Sequence, residues 1–478
     1  MQCPPASLAV RLGLAAVLSG ALVAASARAL PPAVEHILQR ARVPDSALSV
    51  EVRELGSDRT LLQAHALRPV NPASVTKLLT TMAALDRLGP AWTWATPVWL
   101  QGPVKGGVLH GSLFIKGSGD PQLVIERLWL LLRRVQAAGV HTIEGDIVLD
   151  RSAFDLPSAD AADFDGEATR PYNVLPNALL LNFESVNYRF VPDAGAGVAQ
   201  VLVEPALADT PVDHSVALAH DACNDWKATL KASFGEQVHF AGAYPAACGE
   251  QAWDVADARP ASYDARLLRA LWMQMGGELT GRVREGAAPA GAPSFELPSP
   301  PLAEVVRDIN KFSNNVMAQQ LFYTLDLQQH PALPATTAGA RAVLRDWLAA
   351  KLGADFARYA DDLVIDNGSG LSRRTRLSVR MLVRLLTLAY ASPVMPELMA
   401  SLPVLGTDGS LRRWQATAGR AHLKTGSLRD VAAVAGYVLS NGGRRYVLAA
   451  VIEHANASAA RPALDALVQW LIDDAPPS

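Results

Sequence analysis

Three cysteines in 478 residues are too few for a disulfide-built scaffold or a cysteine-ligated metal centre. The ten histidines are scattered, none at ligand spacing, so no metal and no cofactor is expected. A net charge of −3 gives no electrostatic reason for a nucleic-acid partner. Beyond residue 25 no stretch of about 18 uninterrupted apolar residues occurs, the length that a membrane-spanning helix needs. No internal repeat is visible.

What is present is a long chain, 50% hydrophobic, whose length points to two or three domains. Proline-rich tracts at Pro289–Pro293 and Leu297–Pro301 have the composition of linkers or loops. The N-terminus reads as an export signal: Arg11 precedes an apolar run from Leu12 to Ala25, and Ala27-Arg28-Ala29 fits a small-x-small cleavage site. Cleavage after Ala29 would give an exported, periplasmic chain starting at Leu30 and remove Cys3. Cys223 and Cys248 then remain, and in an oxidising compartment they are expected to pair. Closing that loop of about 25 residues would stabilise by roughly 3.5 kcal/mol in the chain-entropy description.

Periodicity places a helix over Val34–Ala41 and a strand over Ala47–Glu54, followed by a turn at Gly56–Asp58. From Thr96 to Phe154 short β segments surround one helix, Leu123–Ala138. Another helix is expected over Ser262–Gly276. Near the C-terminus a strand, Ala421–Thr425, enters Gly426. Val431–Ser440 and Arg445–His454 then form a hairpin across Asn441-Gly442-Gly443, and a helix over 459–473 closes the chain. An antiparallel sheet flanked by helices is therefore expected, with the strand near residue 50 joining it.

The chemistry concentrates in three short motifs. Asn71-Pro-Ala-Ser-Val-Thr-Lys77 reads as a helix start, with Asn71 as N-cap and Pro72 at the first helical position. Leu78, Leu79, Met82 and Leu85 follow as an apolar stripe. Ser74 and Lys77, three apart, would share one helix face, and a lysine of depressed pKa can activate a serine. Ser313-Asn314-Asn315 reads as a loop before a helix, and Lys424-Thr425-Gly426 lies on a strand. Alone, each has a bland reading: a solvated helix face, a polar turn, a solvated strand face. The order Ser-x-x-Lys, Ser-x-Asn, Lys-Thr-Gly is that of the penicillin-recognising serine enzymes, each on the element the pattern needs.

On these motifs the chain resembles the D-alanyl-D-alanine carboxypeptidases/endopeptidases, the class C low-molecular-mass penicillin-binding proteins. Gly111–Pro121, Tyr244–Glu250, Asp366–Arg373 and Gly406–Leu411 also look like stretches of that family. The resemblance implies an α+β fold: a transpeptidase/β-lactamase-like core carrying a large insertion of two smaller β-rich domains. The long gap from Lys77 to Ser313, more than twice that from Ser313 to Lys424, agrees. The expected division is 1–29 signal; 30–97 plus 300–478 catalytic; 98–187 plus 261–299 second domain; 188–260 third domain, nested in the second.

The resemblance also implies roles. Ser74 attacks the penultimate carbonyl of a peptide ending in D-Ala-D-Ala, and Lys77 takes its proton. Ser313 relays a proton to the leaving amine, and Asn315 holds Lys77 and the substrate backbone. Lys424 and Thr425 bind the terminal carboxylate, Gly426 leaves room for substrate along the strand, and the N–H groups of Ser74 and Ser427 form the oxyanion hole. A neutral lysine at pH 7 corresponds to roughly 4 kcal/mol of differential stabilisation. Arg373 is a candidate substrate contact or a structural ion pair. Asp165, with Asp163 next, is a candidate for contacting the amino end of diaminopimelate. Two positions depart from the family pattern: Asn314 where aspartate is usual, expected to point away with little effect, and Arg429 where relatives can carry glutamine. The expected partners are peptidoglycan stem peptides and cross-links, with β-lactams as covalent inhibitors. The oligomeric state and a peripheral membrane contact stay open. A β-lactamase and a non-catalytic peptidoglycan-binding protein are the alternatives. No deacylating glutamate motif supports the first, and the intact motif set argues against the second.

Overall fold

The structure, a computed structural model, describes residues 29–57 and 59–474. The expected export signal up to residue 28, Cys3 with it, and Asp58 of the expected turn lie outside the described residues. No helix among the described residues is long and apolar enough to cross a membrane.

Five antiparallel strands form one sheet in the order Ala421–Leu428, Val431–Leu439, Arg445–Glu453, Leu48–Glu54, Thr60–Ala64. The second strand in this order, Val431–Leu439, explains why no apolar/polar alternation appears in this part of the sequence. Val431, Ala433, Ala435 and Tyr437 face one core, and Ala432, Val434 and Val438 the other. The first core holds the helices Lys77–Leu88, Asn315–Gln329, Thr337–Leu352 and Val379–Tyr390. The second holds Pro32–Arg40 and Pro462–Ile472. A strand covered on both faces reads as a continuous apolar run.

Between the Lys77–Leu88 and Leu302–Phe312 helices the chain builds two further large sheets. One is mixed, in the order Val283–Glu285, Ile147–Asp150, Ser112–Lys116, Ala95–Gln101, Phe295–Pro298, with helices Ile125–Ala137 and Pro260–Gln274 packed on its core. The other has six strands, from Leu230–Ser233 through His239–Pro245, Ser215–Ala219, Val198–Glu204 and Ser185–Asp193 to Gln251–Ala256. Aromatic side chains fill its interior: Phe190 stacks on Tyr244 with centroids 5.5 Å apart and meets Phe240 edge-on at 5.1 Å. Cys223 and Cys248 are joined in a disulfide at its rim. Ala95–Gln101 and Ser185–Asp193 run across the edges expected at residues 97 and 187. We propose that the three folding units divide at about residues 94 and 184, since a strand belongs whole to one sheet.

The expected closing helix is broken in two, Ala457–Ala460 and Pro462–Ile472, because Pro462 has no N–H to continue the first. The expected strand at Ala421 does not stop at Gly426 but runs on to Leu428.

Candidate active site

The turn that carries Ser74 is not the helix start expected from Asn71 and Pro72. Asn71 Oδ1 accepts a hydrogen bond from the Ala73 N–H at 2.9 Å, an Asx-type turn two residues long. Ala73 is left-handed, with φ 48°. The chain then makes a short 3₁₀ turn, Ala73–Thr76, before the α-helix Lys77–Leu88 begins with no side-chain cap. Tertiary packing overrides the local preference. A Cβ on Gly370 would lie 2.0 Å from the Ala73 carbonyl oxygen, and one on Gly426 would lie 2.4 Å from that of Pro72. Two missing side chains thus let a loop and the edge strand close on the turn from both sides. Gly426 was expected to make room for substrate; the contact that requires glycine here is with the Ser74 turn. The Leu78, Leu79, Met82 and Leu85 stripe is buried as expected.

Lys77 is fully buried. Its Nζ lies 2.9 Å from Ser74 Oγ, 2.6 Å from Asn315 Oδ1 and 2.6 Å from the Ser369 carbonyl oxygen. The last two can only accept. A neutral amine has two N–H groups and one lone pair, so it donates to both and leaves its lone pair for the Ser74 hydroxyl. Burial, and then the charge of Lys424, hold the Lys77 pKa well below the ordinary lysine value. Lys424 is also fully buried, and burial lowers its pKa to about 7. Lys424 Nζ donates to Ser313 Oγ and to the Thr425 carbonyl, both at 2.8 Å.

Ser313 ends the Leu302–Phe312 helix in the left-handed conformation, φ 58° and ψ 33°. Its hydroxyl meets Lys424, not Lys77. Asn314 is more than a bystander: its Oδ1 accepts from the Met317 N–H at 3.0 Å and caps the next helix. An aspartate would cap equally well, so the departure from the family pattern leaves the turn intact. Asn315 sits one residue on, its Nδ2 donating to the Tyr172 carbonyl at 3.4 Å.

The Ala421–Leu428 strand is an edge strand, with partners on one side only along its C-terminal half. On its outer side Ala421 and Leu423 bond to Leu405 and Pro403, whereas Arg420 bonds inward to Leu439. Backbone groups alternate in direction along an antiparallel strand, so Thr425 and Ser427 also face outward. The Lys424 ammonium on the Thr425 carbonyl agrees with this direction. Thr425 Oγ1 lies 2.6 Å from Ser410 Oγ, and Ser427 is exposed at the lip.

The remaining candidates stand apart from this cluster. Arg373 pairs with Asp430 at 3.0 Å and lies over the Phe164 ring, 4.9 Å from its centroid; of its two expected roles, the ion pair is the contact observed. Asp165 accepts hydrogen bonds from Asn173 at 2.7 Å, Tyr172 at 2.9 Å and the Glu167 N–H at 3.1 Å. Its burial raises the pKa, but the Asn173 and Tyr172 bonds outweigh this and lower it. Asp163 accepts from the Asp160 N–H within the same exposed loop.

Sequence reasoning missed three contributors. The Ser369 carbonyl is a backbone atom, which no side-chain pattern reports, although Asp366–Arg373 stood out as a stretch. Ser410 sits in the Gly406–Leu411 stretch and approaches the site because Asp408 ties this loop to the helix before Ser313: Lys311 Nζ donates to Asp408 Oδ2 at 2.6 Å. Gly370 lies in the same Asp366–Arg373 stretch, but its approach to the Ser74 turn is a tertiary contact that the stretch does not report.

Known proteins share this architecture and sequence. A D-alanyl-D-alanine carboxypeptidase of Actinomadura sp. strain R39 is 29% identical over 434 residues, covering 85% of this chain and 76% of the relative. The crystal structure of penicillin-binding protein 4 (dacB) from Haemophilus influenzae superposes with a TM-score of 0.70 at 21% identity, over 91% of this chain and 99% of that one. A second structure of that protein, complexed with a β-lactam, gives a TM-score of 0.66 at 20% identity with the same coverage. These two likenesses are of fold. Residues 30–473 match the family described as D-Ala-D-Ala carboxypeptidase 3 (S13), and the chain belongs to that family.

Proposed function

We propose that this protein is a serine DD-peptidase that releases the terminal D-Ala of peptidoglycan stem peptides, cleaves D-Ala–diaminopimelate cross-links, or both, through an acyl-enzyme on Ser74. The observation that carries the reading is the surroundings of Lys77: a buried amine with two obligate acceptors and a serine hydroxyl, and no carboxylate partner among the described residues. That arrangement favours the neutral lysine, which is a base.

In the proposed reaction Ser74 Oγ bonds to the carbonyl carbon of the penultimate residue while its proton moves to Lys77 Nζ. The N–H groups of Ser74 and Ser427 receive the developing oxyanion. The C–N bond breaks as the leaving amine takes a proton from Ser313 Oγ, which Lys424 Nζ at 2.8 Å replaces; in deacylation Lys77 returns its proton to Ser74, and Lys424 regains one from the water. Lys424 and Thr425 hold the terminal carboxylate, which accounts for a preference for chain ends. Water then adds to the ester and returns Ser74. A β-lactam would acylate the same hydroxyl and leave slowly; the β-lactam complex of the Haemophilus influenzae protein, which shares this fold, supports that reading. Substrate contacts at Arg373 and Asp165 belong to the proposal, with their present partners Asp430, Tyr172 and Asn173 giving way or bridging. Export to the periplasm and cleavage after Ala29 complete it; the Cys223–Cys248 disulfide is consistent with an oxidising compartment.

Incubation with purified muropeptides, read by mass, tests the activity: the expected products lack one D-Ala or are split dimers. A Ser74→Ala variant that still releases D-Ala, or is still labelled by a fluorescent penicillin, would end the proposal.

A further inference from the structure

A cavity of about 800 Å³ opens beside the cluster on the Ser313 side, a volume in the range that takes a peptide-sized ligand. One wall is the segment Phe312–Val316 and another is Arg170–Tyr172. The far wall is the six-stranded sheet, with Asn187, Arg189 and Asp254, and beside it Lys227. Three of the six charged side chains here are already engaged. Arg170 pairs with Glu167 at 3.3 Å, Arg189 with Glu250 at 3.1 Å, and Asp254 accepts from Asn187 at 2.6 Å.

Lys227 differs. Its ammonium lies 5.4 Å from the Trp226 ring centroid and 5.1 Å from that of Trp253, and it makes no ion pair among the described residues. Two indoles flank the ammonium, and the side chain lines the cavity. Burial and then the nearby Arg170 charge lower its pKa, while Asp254 and Asp225 act in the opposite sense. A carboxylate beside Lys227 would relieve that repulsion. Glu126 and Glu204 line the same cavity and would oppose an anion elsewhere in it.

We infer that this cavity is an extended subsite for an acidic peptide arm of the substrate, with Lys227 recognising a carboxylate remote from the scissile bond. The inference rests on Ser74 being the nucleophile, because the cavity begins at Asn315, the residue proposed above to hold the substrate backbone. It would make the enzyme choose long or branched stem peptides over short ones.

The test compares two substrates: a short acylated peptide ending in D-Ala-D-Ala, and the same peptide extended on its N-terminal side by two carboxylate-bearing residues. The wild type is expected to favour the extended peptide about tenfold in kcat/KM, through KM, with the advantage falling as salt is raised. Lys227→Gln should lose most of that advantage and Lys227→Arg should keep it. In both variants short-peptide turnover and penicillin acylation should stay at wild-type rates, and Tm should hold. If Lys227→Gln keeps the wild-type preference, or both variants lose it equally, the subsite is wrong. Failure of the catalytic reading shows separately: the wild type would then leave even the short peptide intact and stay unlabelled by penicillin, overturning both.

Discussion

The molecule buries like charges in two places and resolves them in opposite ways. Beneath the cleft, Lys77 and Lys424 lie together with hydroxyls, an amide and carbonyls as partners and, among the described residues, no carboxylate. Where the six-stranded sheet joins the mixed one, Glu184 and Asp264 share a single arginine, Arg151, which bonds Asp264. In both, desolvation favours the neutral form. For the lysines this means giving up a proton, which makes a base next to a hydroxyl. For the acids it means keeping one: burial and then the Asp264 charge push Glu184 up to about 8, and burial pushes Asp264 up to about 7. Neither acid side chain bonds a hydroxyl, thiol or lysine among the described residues, so their titration bears on stability, at a junction where Asn182, Phe183 and Glu184 are all left-handed. Shifted pKa values thus mark chemistry only where geometry supplies something to activate.

The largest expected effect breaks the lysine cluster. Ser74→Ala and Lys77→Met should each lower penicillin acylation by about 10⁴-fold or more. Lys77→Met should nevertheless fold, with Tm lowered by only a few degrees, since it leaves no unpaired charge but takes the donor from Asn315 Oδ1 and the Ser369 carbonyl. A marked drop in Tm would show that Lys77 is there to hold the fold.

Gly426→Ala comes next. Its Cβ would meet the Pro72 carbonyl at 2.4 Å, so the Ser74 turn must shift. We expect a loss of 10- to 100-fold in acylation and about 1–3 kcal/mol in stability by urea unfolding. Full activity in this variant would mean that the turn is not held by the strand.

The acid cluster should show in pH rather than in turnover. A carboxyl whose folded pKa is raised stabilises the fold while protonated, and that contribution is lost as pH rises from the unfolded value of about 4 through the folded one. Wild-type Tm should therefore fall between about pH 5 and 8. Glu184→Gln should flatten that fall and be more stable than wild type by about 2 kcal/mol at pH 8. An unchanged slope in thermal scans would remove Glu184 from the cluster.

The lysine pair should shape activity instead. Acylation should rise as Lys77 loses its proton and decline as pH passes about 7, where Lys424 loses its own. A rate that climbs steadily to pH 10 would contradict this order. Smallest of all, Ser410→Ala should raise KM about two- to fivefold through Thr425, with kcat kept.

The sequence showed the hairpin and the closing helix because Asn441-Gly442-Gly443 and the apolar periodicity are local signals. It misplaced the start of the Ser74 helix because the force that shapes Ala73–Thr76 comes from Gly370 and Gly426, far away in the chain. It marked Ser313 and Lys424 but not that they meet, since that contact depends on how an edge strand and a helix end are brought together.

The sequence alone determined the chemical inventory: which hydroxyls, amines and amides are available, in what order, and on which kinds of element, because periodicity and turn residues act over a few positions. Tertiary structure alone decided which of them meet and in what surroundings. Lys77 is an ordinary lysine until Ser369, Asn315 and Lys424 surround it, and only burial in a shared, poorly hydrated core can favour a neutral amine beside a serine.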